Sequence, residues 1–326
     1  MAKKSKSKTA QVSRVGNILA SAKKGHLYEV GVGGGVFDPK MSFVRGIRLP
    51  SLGLMHMLGF SSLRDSCTVL IDGKSGSSKS SLAMDLFNWG LPYAAAGAII
   101  DTENKAAFDI ASGMLNTVTL YLPGHLNMYT RICIEEIQAT VGEELNRCRL
   151  MNGIGKKDEE LSRDNHIPFI LITDSLAATP SKETKDLVAK QGFIDRGHGG
   201  RTEALLWSGW FHTHESNLLD LPVISVFVNH IKERQEQVGA RTVSKTINPG
   251  GVTQNYATTI HIRCSGERPF ISEKVDGISY QNIHLSCVKN SRGPTGLRTV
   301  ARKCSMRNED GTTTFWWDWV DVRLSS

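Results

Sequence analysis

From about Ile47 onward, short apolar runs alternate with longer segments of helical spacing. The runs of strand length are Cys67–Asp72, Ala96–Asp101, Phe169–Asp174, Val223–Asn229, Thr258–Arg263 and His284–Lys289. Between the earlier ones lie helical patterns at Ser80–Gly90, Ala106–Leu115, Arg131–Leu150 and Gly200–Leu219. Strand and helix in alternation predict an α/β fold with a mostly parallel, twisted sheet and helices on both faces. The longest apolar runs, around Pro168–Ile172 and Pro222–Val228, have the length of buried strands and fall far short of the ~20 residues that cross a bilayer.

Two segments break the alternation. Asn152–His166 is charged and contains glycine, which predicts an exposed insertion. Lys232–Pro249 is polar and too long for an ordinary connection, which predicts a mobile functional loop. Before Ile47 the chain is a polar, basic arm with Val12, Val15, Ile18 and Leu19 at helical spacing, then the glycine run Gly31–Gly35, a breaker rather than a nucleotide loop. The expected division is 1–45 as an N-terminal arm, 46–305 as the core and 306–326 as a short extension. Regulation by a full C-terminal domain is not expected.

The 326 residues carry a formal net charge of +7, unevenly spread. Lys and Arg residues from Lys3 to Lys24 precede the first acid, Glu29, and the acid-free stretch from Gly277 to Asn308 holds Lys289, Arg292, Arg298, Arg302, Lys303 and Arg307. Such blocks suit a polyanionic partner; a solvated tail and a solvated sheet edge explain them as well. The basic start lacks the apolar core of a secretory signal. The 6 cysteines are scattered, with no Cys-x-x-Cys pair, and read as reduced thiols in a cytosol rather than as a zinc site.

Chemistry enters at Val69-Leu70-Ile71-Asp72-Gly73-Lys74-Ser75-Gly76-Ser77-Ser78-Lys79-Ser80-Ser81, a strand, a loop of small residues and a helix start. A P-loop needs inward-pointing backbone N–H groups, a lysine for the β/γ-phosphates and a hydroxyl for Mg²⁺. Gly73, Lys79 and Ser80 have the required spacing, while Ser78 stands where a glycine is usual. The run ending Ile172-Thr173-Asp174-Ser175 reads as a Walker B strand that brings Asp174 to the metal. Ser175 follows where many P-loop ATPases carry a glutamate, so the carboxylate that activates water comes from another strand. Ile99-Ile100-Asp101-Thr102-Glu103 supplies Glu103 at the edge of a neighbouring strand; a neighbour of a helix N-cap without chemistry is the alternative.

In order, these motifs resemble the RecA recombinase family, particularly the UvsX-like recombinases of tailed phages. The resemblance spans roughly residues 45–305 and rests on Ile47–Leu54 with Leu58-Gly59, on Asp101-Thr102-Glu103, and on Asp174-Ser175-Leu176-Ala177-Ala178-Thr179-Pro180. It continues through Val226-Phe227-Val228-Asn229-His230, Gly250-Gly251 with Tyr256 and Ile262-Arg263, and Val288-Lys289-Asn290. Phage-type members also replace the second P-loop glycine. The resemblance implies a RecA-like ATPase core with an N-terminal polymerisation arm, acting with ATP and Mg²⁺. It implies phosphate contacts from Gly73, Ser75, Gly76, Ser77, Ser78, Lys79, Ser80 and Ser81, and metal placement by Ser80 and Asp174. Glu103 would polarise the attacking water and His230 would sense the γ-phosphate; a satisfied core histidine is the alternative for His230. Lys289 would reach into a neighbour's ATP, with Arg292 as a second cation, or would be an ordinary edge lysine.

The same resemblance maps two DNA loops. One covers about Lys182–Gly200, with Lys182, Lys185 and Arg196 and with Arg201 just beyond; the other covers Lys232–Gly250, with Lys232, Arg234, Arg241 and Lys245. Contacts there would fall on the sugar-phosphate backbone and tolerate any sequence, though nearby acids also fit solvated loops. The implied partners are single-stranded DNA, homologous duplex DNA and further copies in a helical filament, with single-strand-binding and mediator proteins possible and no membrane. The implied setting is the cytoplasm of an infected bacterial host. A hexameric DNA helicase and a filament protein that does not hydrolyse ATP are the competing readings. His212-Thr213-His214 is poorly spaced for a shared metal on a helix, and Phe315, Trp317 and Trp319 read as one packed strand face rather than a base-stacking surface.

Overall fold

The computed structural model describes residues 46–63, 66–90, 93, 95–103, 126–131, 133–155, 166–192, 199–219, 221–238, 241–247, 249, 253–266, 274–275, 278–309, 311 and 313–319, with backbone only at 178, 199–201, 233–236, 238, 241–247 and 274–275. The basic arm, the glycine run, the expected helix Ala106–Leu115 and Arg196 lie outside the described residues.

The strands are β1 (Ile47–Arg48), β2 (Ser62–Leu63), β3 (Cys67–Gly73), β4 (Ala96–Asp101), β5 (Leu126–Thr130), β6 (Phe169–Asp174) and β7 (Val223–His230). They continue as β8 (Lys232–Val238), β9 (Arg241–Ile247), β10 (Ile260–Gly266), β11 (Lys274–Val275), β12 (Ile278–Asn290), β13 (Arg298–Arg307) and β14 (Thr313–Asp318). The helices are α1 (Leu52–Leu58), α2 (Lys79–Gly90), α3 (Ile134–Met151), α4 (Lys182–Gln191), α5 (Gly199–Leu218) and α6 (Thr253–Ala257).

Among the described residues the main sheet has 10 strands, in the order β14-β13-β12-β10-β3-β7-β6-β4-β5 with β11 beside β12. The strands from β10 to β5 pair in parallel, and β12, β13 and β14 extend the sheet antiparallel. This is the α/β fold expected from the alternation.

Successive strand residues serve opposite faces. Val69, Ile71, Ile170, Ile172, Ile224, Val226 and Val228 join Leu82, Leu86 and Phe87 of α2 in one core. Leu70, Phe169, Leu171, Val223 and Phe227 join Ile137, Val141 and Leu145 of α3 and Trp207 and Phe211 of α5 in the other. Burial on both faces explains why the central strands are nearly continuous apolar runs.

In three segments the structure departs from the expectation or refines it, and residues 156–165 of the first lie outside the described residues. Asn152, at the start of the supposed exposed insertion, is fully buried; its side chain donates to the carbonyls of Cys148 (3.0 Å) and Ile167 and accepts from Ile167 N. Burying the end of α3 requires a partner for its last carbonyls, and this amide supplies one. The first half of the supposed DNA loop, from Lys182, is the helix α4, because Ser181 caps it by accepting from Thr184 N. Residues 232–247, in the segment expected to be a mobile functional loop, form an antiparallel hairpin, β8 with β9. Thr242, Val243, Thr246 and Ile247 favour a pleated backbone.

Beyond the core, Trp317 is buried and donates to the Ser81 carbonyl, and Trp319 stacks on it at 5.3 Å and donates to Asp85. Phe315 packs against the same core, so this strand face is packed onto α2. All six cysteines are free and buried. Among the described residues no helix is long and apolar enough to cross a membrane.

Candidate nucleotide site

β3 ends at Gly73, and α2 begins at Lys79. A Cβ on Gly73 would collide with the Cys264 carbonyl and with Ser77 Oγ, so the loop can fold against β10 only with glycine there. Gly76 has φ 78° and Ser78 φ 60°. Ser78 therefore holds the left-handed conformation at the position where the P-loop pattern carries glycine, at a cost of about 1–2 kcal/mol. The loop keeps its course despite the substitution. Ser77 Oγ and Lys79 Nζ both donate to the Lys74 carbonyl, at 2.8 and 2.7 Å. Lys79 is only 4% exposed, and burial pulls its pKa down against the opposing pull of Cys264, Asp174, Glu103 and Asp72.

Parallel pairing aligns the ends of β3, β7, β6 and β4, so their last residues share the carboxyl edge of the sheet, where ligands of such sheets bind. Asp174 ends β6 opposite Asp101 of β4. Glu103 Oε1 accepts from Ser175 Oγ at 2.7 Å and from His230 Nε2 at 2.8 Å. The Thr102 side chain bonds the carbonyls of Asp174 and Ser175 and accepts from Ser175 N at 2.7 Å, which ties the two strand ends together. The structure thus brings Lys79, Asp174, Glu103 and His230 to one edge. Ser80 lies half-buried in the first turn of α2, and its hydroxyl with the Asp174 carboxylate makes an oxygen donor set that fits Mg²⁺.

A second tie leads away from His230. Asn229 Nδ2 donates to the Pro249 carbonyl and to Gln254 Oε1, both at 2.8 Å, and Gln254 Nε2 donates to the same carbonyl. The residue beside His230 is thereby joined to Pro249, two residues past the end of β9, and to α6.

Asp72, fully buried, pairs with Arg263 through two bonds of 2.9 and 2.8 Å and lies 2.7 Å from His261 Nε2. Burial raises its pKa, but the hydrogen bonds and charges of Arg263 and His261 outweigh this and hold it at about 2. The pair fastens β3 to β10 one residue before the P-loop. Next to it, a cavity of about 320 Å³ opens between Lys74–Ser77 and the end of β10, with Gln281 in its wall.

Lys289, expected either to reach a neighbour's nucleotide or to be an edge lysine, has its Nζ bonded to the carbonyls of Tyr256 and Thr258 of its own chain, both at 2.6 Å. The last carbonyls of α6 attract it, as helix C-termini attract cations. Arg292 is exposed and donates to the Ser66 carbonyl at 3.1 Å.

Of the expected DNA-contact residues, Lys182, Lys185 and Lys232 are exposed. The hairpin register pairs Lys232 with Ile247, Arg234 with Lys245 and Val238 with Arg241. Paired and alternate positions share a face. Lys232, Arg234, Arg241 and Lys245 thus all occupy positions of one face, with Glu236, while Glu233 belongs to the other.

His214 is buried, bonded to Ser225 Oγ at 2.9 Å and stacked on Trp210, and burial pushes its pKa down to about 3; His212 points to the exposed side. The two rings do not share a site.

Sequence reasoning missed Thr102, Ser175 and Gln254 as organisers. Thr102 and Ser175 stood inside recognised motifs, but nothing in their spacing says that one side chain bridges both strand ends. Gln254 gave no local signal.

These features define an α/β core with a P-loop-like turn between β3 and α2. No family model matches the sequence, and no curated protein matches it. Among solved structures, a chain described as the RadB recombinase superposes with a TM-score of 0.45 and 14% identity over 80% of this chain and 96% of that one. The functional reading therefore rests on the site.

Proposed function

We propose that this chain is an ATP-dependent DNA recombinase of the RecA type, acting with Mg²⁺ as a filament on single-stranded DNA and pairing it with homologous duplex. The observation that carries the reading is the Glu103–Ser175–His230 cluster beside Lys79 and its hydrogen-bonded link, through Asn229 and Gln254, to Pro249, which follows a hairpin whose Lys and Arg residues occupy positions of one face. A nucleotide pocket wired to a basic ribbon is what an ATPase regulated by a polyanion needs.

Within the site, Lys79 neutralises the β/γ-phosphates, and Mg²⁺, held through Ser80 and Asp174, would withdraw charge from the same oxygens. With Oε1 fixed by Ser175 and His230, the Glu103 carboxylate has one orientation from which to take a proton from water. Loss or gain of a γ-phosphate near His230 shifts this ring, and Asn229 passes the shift to Pro249 and the hairpin. The hairpin face and the exposed lysines of α4 track a phosphate backbone without reading bases. The resemblance to UvsX-like recombinases supports a role in phage recombination, repair and replication in the cytoplasm of an infected host, and supports Lys289 and Arg292 as groups that act on a neighbour's nucleotide.

The test is ATP turnover with and without single-stranded DNA. DNA should stimulate the wild type. Lys79→Ala should lose turnover, and Glu103→Gln should keep nucleotide and DNA binding while slowing hydrolysis about a hundredfold or more. Wild-type turnover in Lys79→Ala would overturn the site, and failure of Glu103→Gln to bind ATP would move the base elsewhere.

A further inference from the structure

Lys303 lies in β13, and its Nζ donates to Ser81 Oγ at 2.8 Å while sitting 5.0 Å from the centre of the Phe315 ring. Ser81 belongs to the first turn of α2, which contains no acidic residue. A helix N-terminus carries roughly half a positive charge. Lys79 and Lys303 therefore bring two ammonium groups to the positive end of the same helix.

A second observation lies beside the first. Gln281 of β12 pairs directly with Lys303, and Lys303 with Trp317 of β14, so the three share a face of the sheet. Gln281 Nε2 is buried without a hydrogen-bond partner and lines the cavity against Lys74–Ser77. A buried donor without an acceptor is costly to the fold, and an acceptor on a bound ligand would recover that cost.

The sheet order says which part of the ligand this wall meets. Asp174, Glu103 and His230 come from β6, the end of β4 and β7, on one side of β3. Gln281 and Lys303 come from β12 and β13, on the other side. The geometry points to Lys303, with Gln281 beside it, as a second wall of the nucleotide site that binds the diphosphate portion common to ATP and ADP. This inference rests on the P-loop reading above and adds residues that no motif of the sequence marked.

Calorimetric titration of the full chain with Mg-ADP and with a non-hydrolysable Mg-ATP analogue tests it. Lys303→Met, which keeps the stem over Phe315, should weaken both nucleotides by the same factor, about tenfold, the scale of one charged hydrogen bond. Lys303→Gln should show the same loss, because it keeps a donor for Ser81 without the charge, and Lys303→Arg should recover affinity. The melting temperature of the three variants without nucleotide should match the wild type. Unchanged affinity in Lys303→Met, a loss confined to the ATP analogue, or wild-type binding by Lys303→Gln overturns the proposal while leaving the P-loop in place. A wild type that binds neither nucleotide overturns both.

Discussion

Asp72 shows how one side chain can set the position of a loop it does not belong to. It is the last residue before Gly73, and its carboxylate is held by Arg263 and His261 of β10, the strand against which Gly73 must pass without a Cβ. Asp72→Asn removes the charge and leaves the Arg263 guanidinium without its counter-ion. Breaking a fully buried pair costs about 3–5 kcal/mol; Arg263 is partly exposed, so a loss of about 2–3 kcal/mol is expected, read as a lower urea midpoint. The pH dependence has a definite sign. The folded-state pKa of about 2 lies below the ordinary 3.8, so the stabilisation is complete above 3.8 and fades as pH falls toward 2. The difference between wild type and variant should shrink over that window. A difference that stays constant from pH 5 to pH 2 would show that shape, not charge, holds the strands together.

At the scale of elements, the hairpin β8–β9 makes the sharpest claim. Its register collects Lys232, Arg234, Arg241 and Lys245 at positions of one face. Replacing Arg234 and Lys245 with glutamine should weaken binding to single-stranded DNA and flatten its salt dependence, by about 0.7 in the log–log slope for each phosphate that no longer meets a cation. Replacing Gln235 and Ser244, at positions of the opposite face, with alanine should leave the slope unchanged. Equal effects from both faces would argue against the ribbon as the DNA surface.

The main elements were legible because their signals are strong and local. Ala96–Asp101 and Phe169–Asp174 are apolar runs with abrupt polar ends, and the sheet kept those bounds. The hairpin was not legible: positions of one face mix Lys, Arg and Glu with Val and Ile, so its strands lack the alternation that marks a half-buried strand. The carbonyl partners of Lys289 were hidden for a related reason. They are backbone carbonyls 31 and 33 residues away, and a sequence rich in cations and free of acids hides carbonyl acceptors altogether.

For the whole molecule, the open question is whether two copies complete one active site. On the proposed function, the sheet edge brings Lys79 from its own chain, and the added negative charge of phosphoryl transfer there would call for a further cation. Lys289 is the candidate carried by the resemblance to RecA recombinases, and in the isolated chain its ammonium caps the end of α6 through Tyr256 and Thr258. Acting in a neighbour's site would mean exchanging those two carbonyl bonds for phosphate oxygens, which charge–charge attraction favours. α6 also holds Gln254, the residue bonded to Asn229, so release of its last turn and movement of the hairpin would be coupled. Mixing separates this from a structural role. Lys79→Ala has a dead P-loop and an intact Lys289; Lys289→Ala has an intact P-loop and no cation to lend. Each alone should hydrolyse ATP poorly on single-stranded DNA. Filaments assembled from equal amounts of both should recover part of the wild-type rate, because some interfaces join an intact P-loop to an intact Lys289. Electron microscopy of the same samples should show open helical filaments, and closed rings would favour a hexameric helicase. Full activity of Lys289→Ala alone would end its role as the donated cation, and two inactive variants that stay inactive when mixed in visible filaments would show that Lys289 works only as the cap of α6.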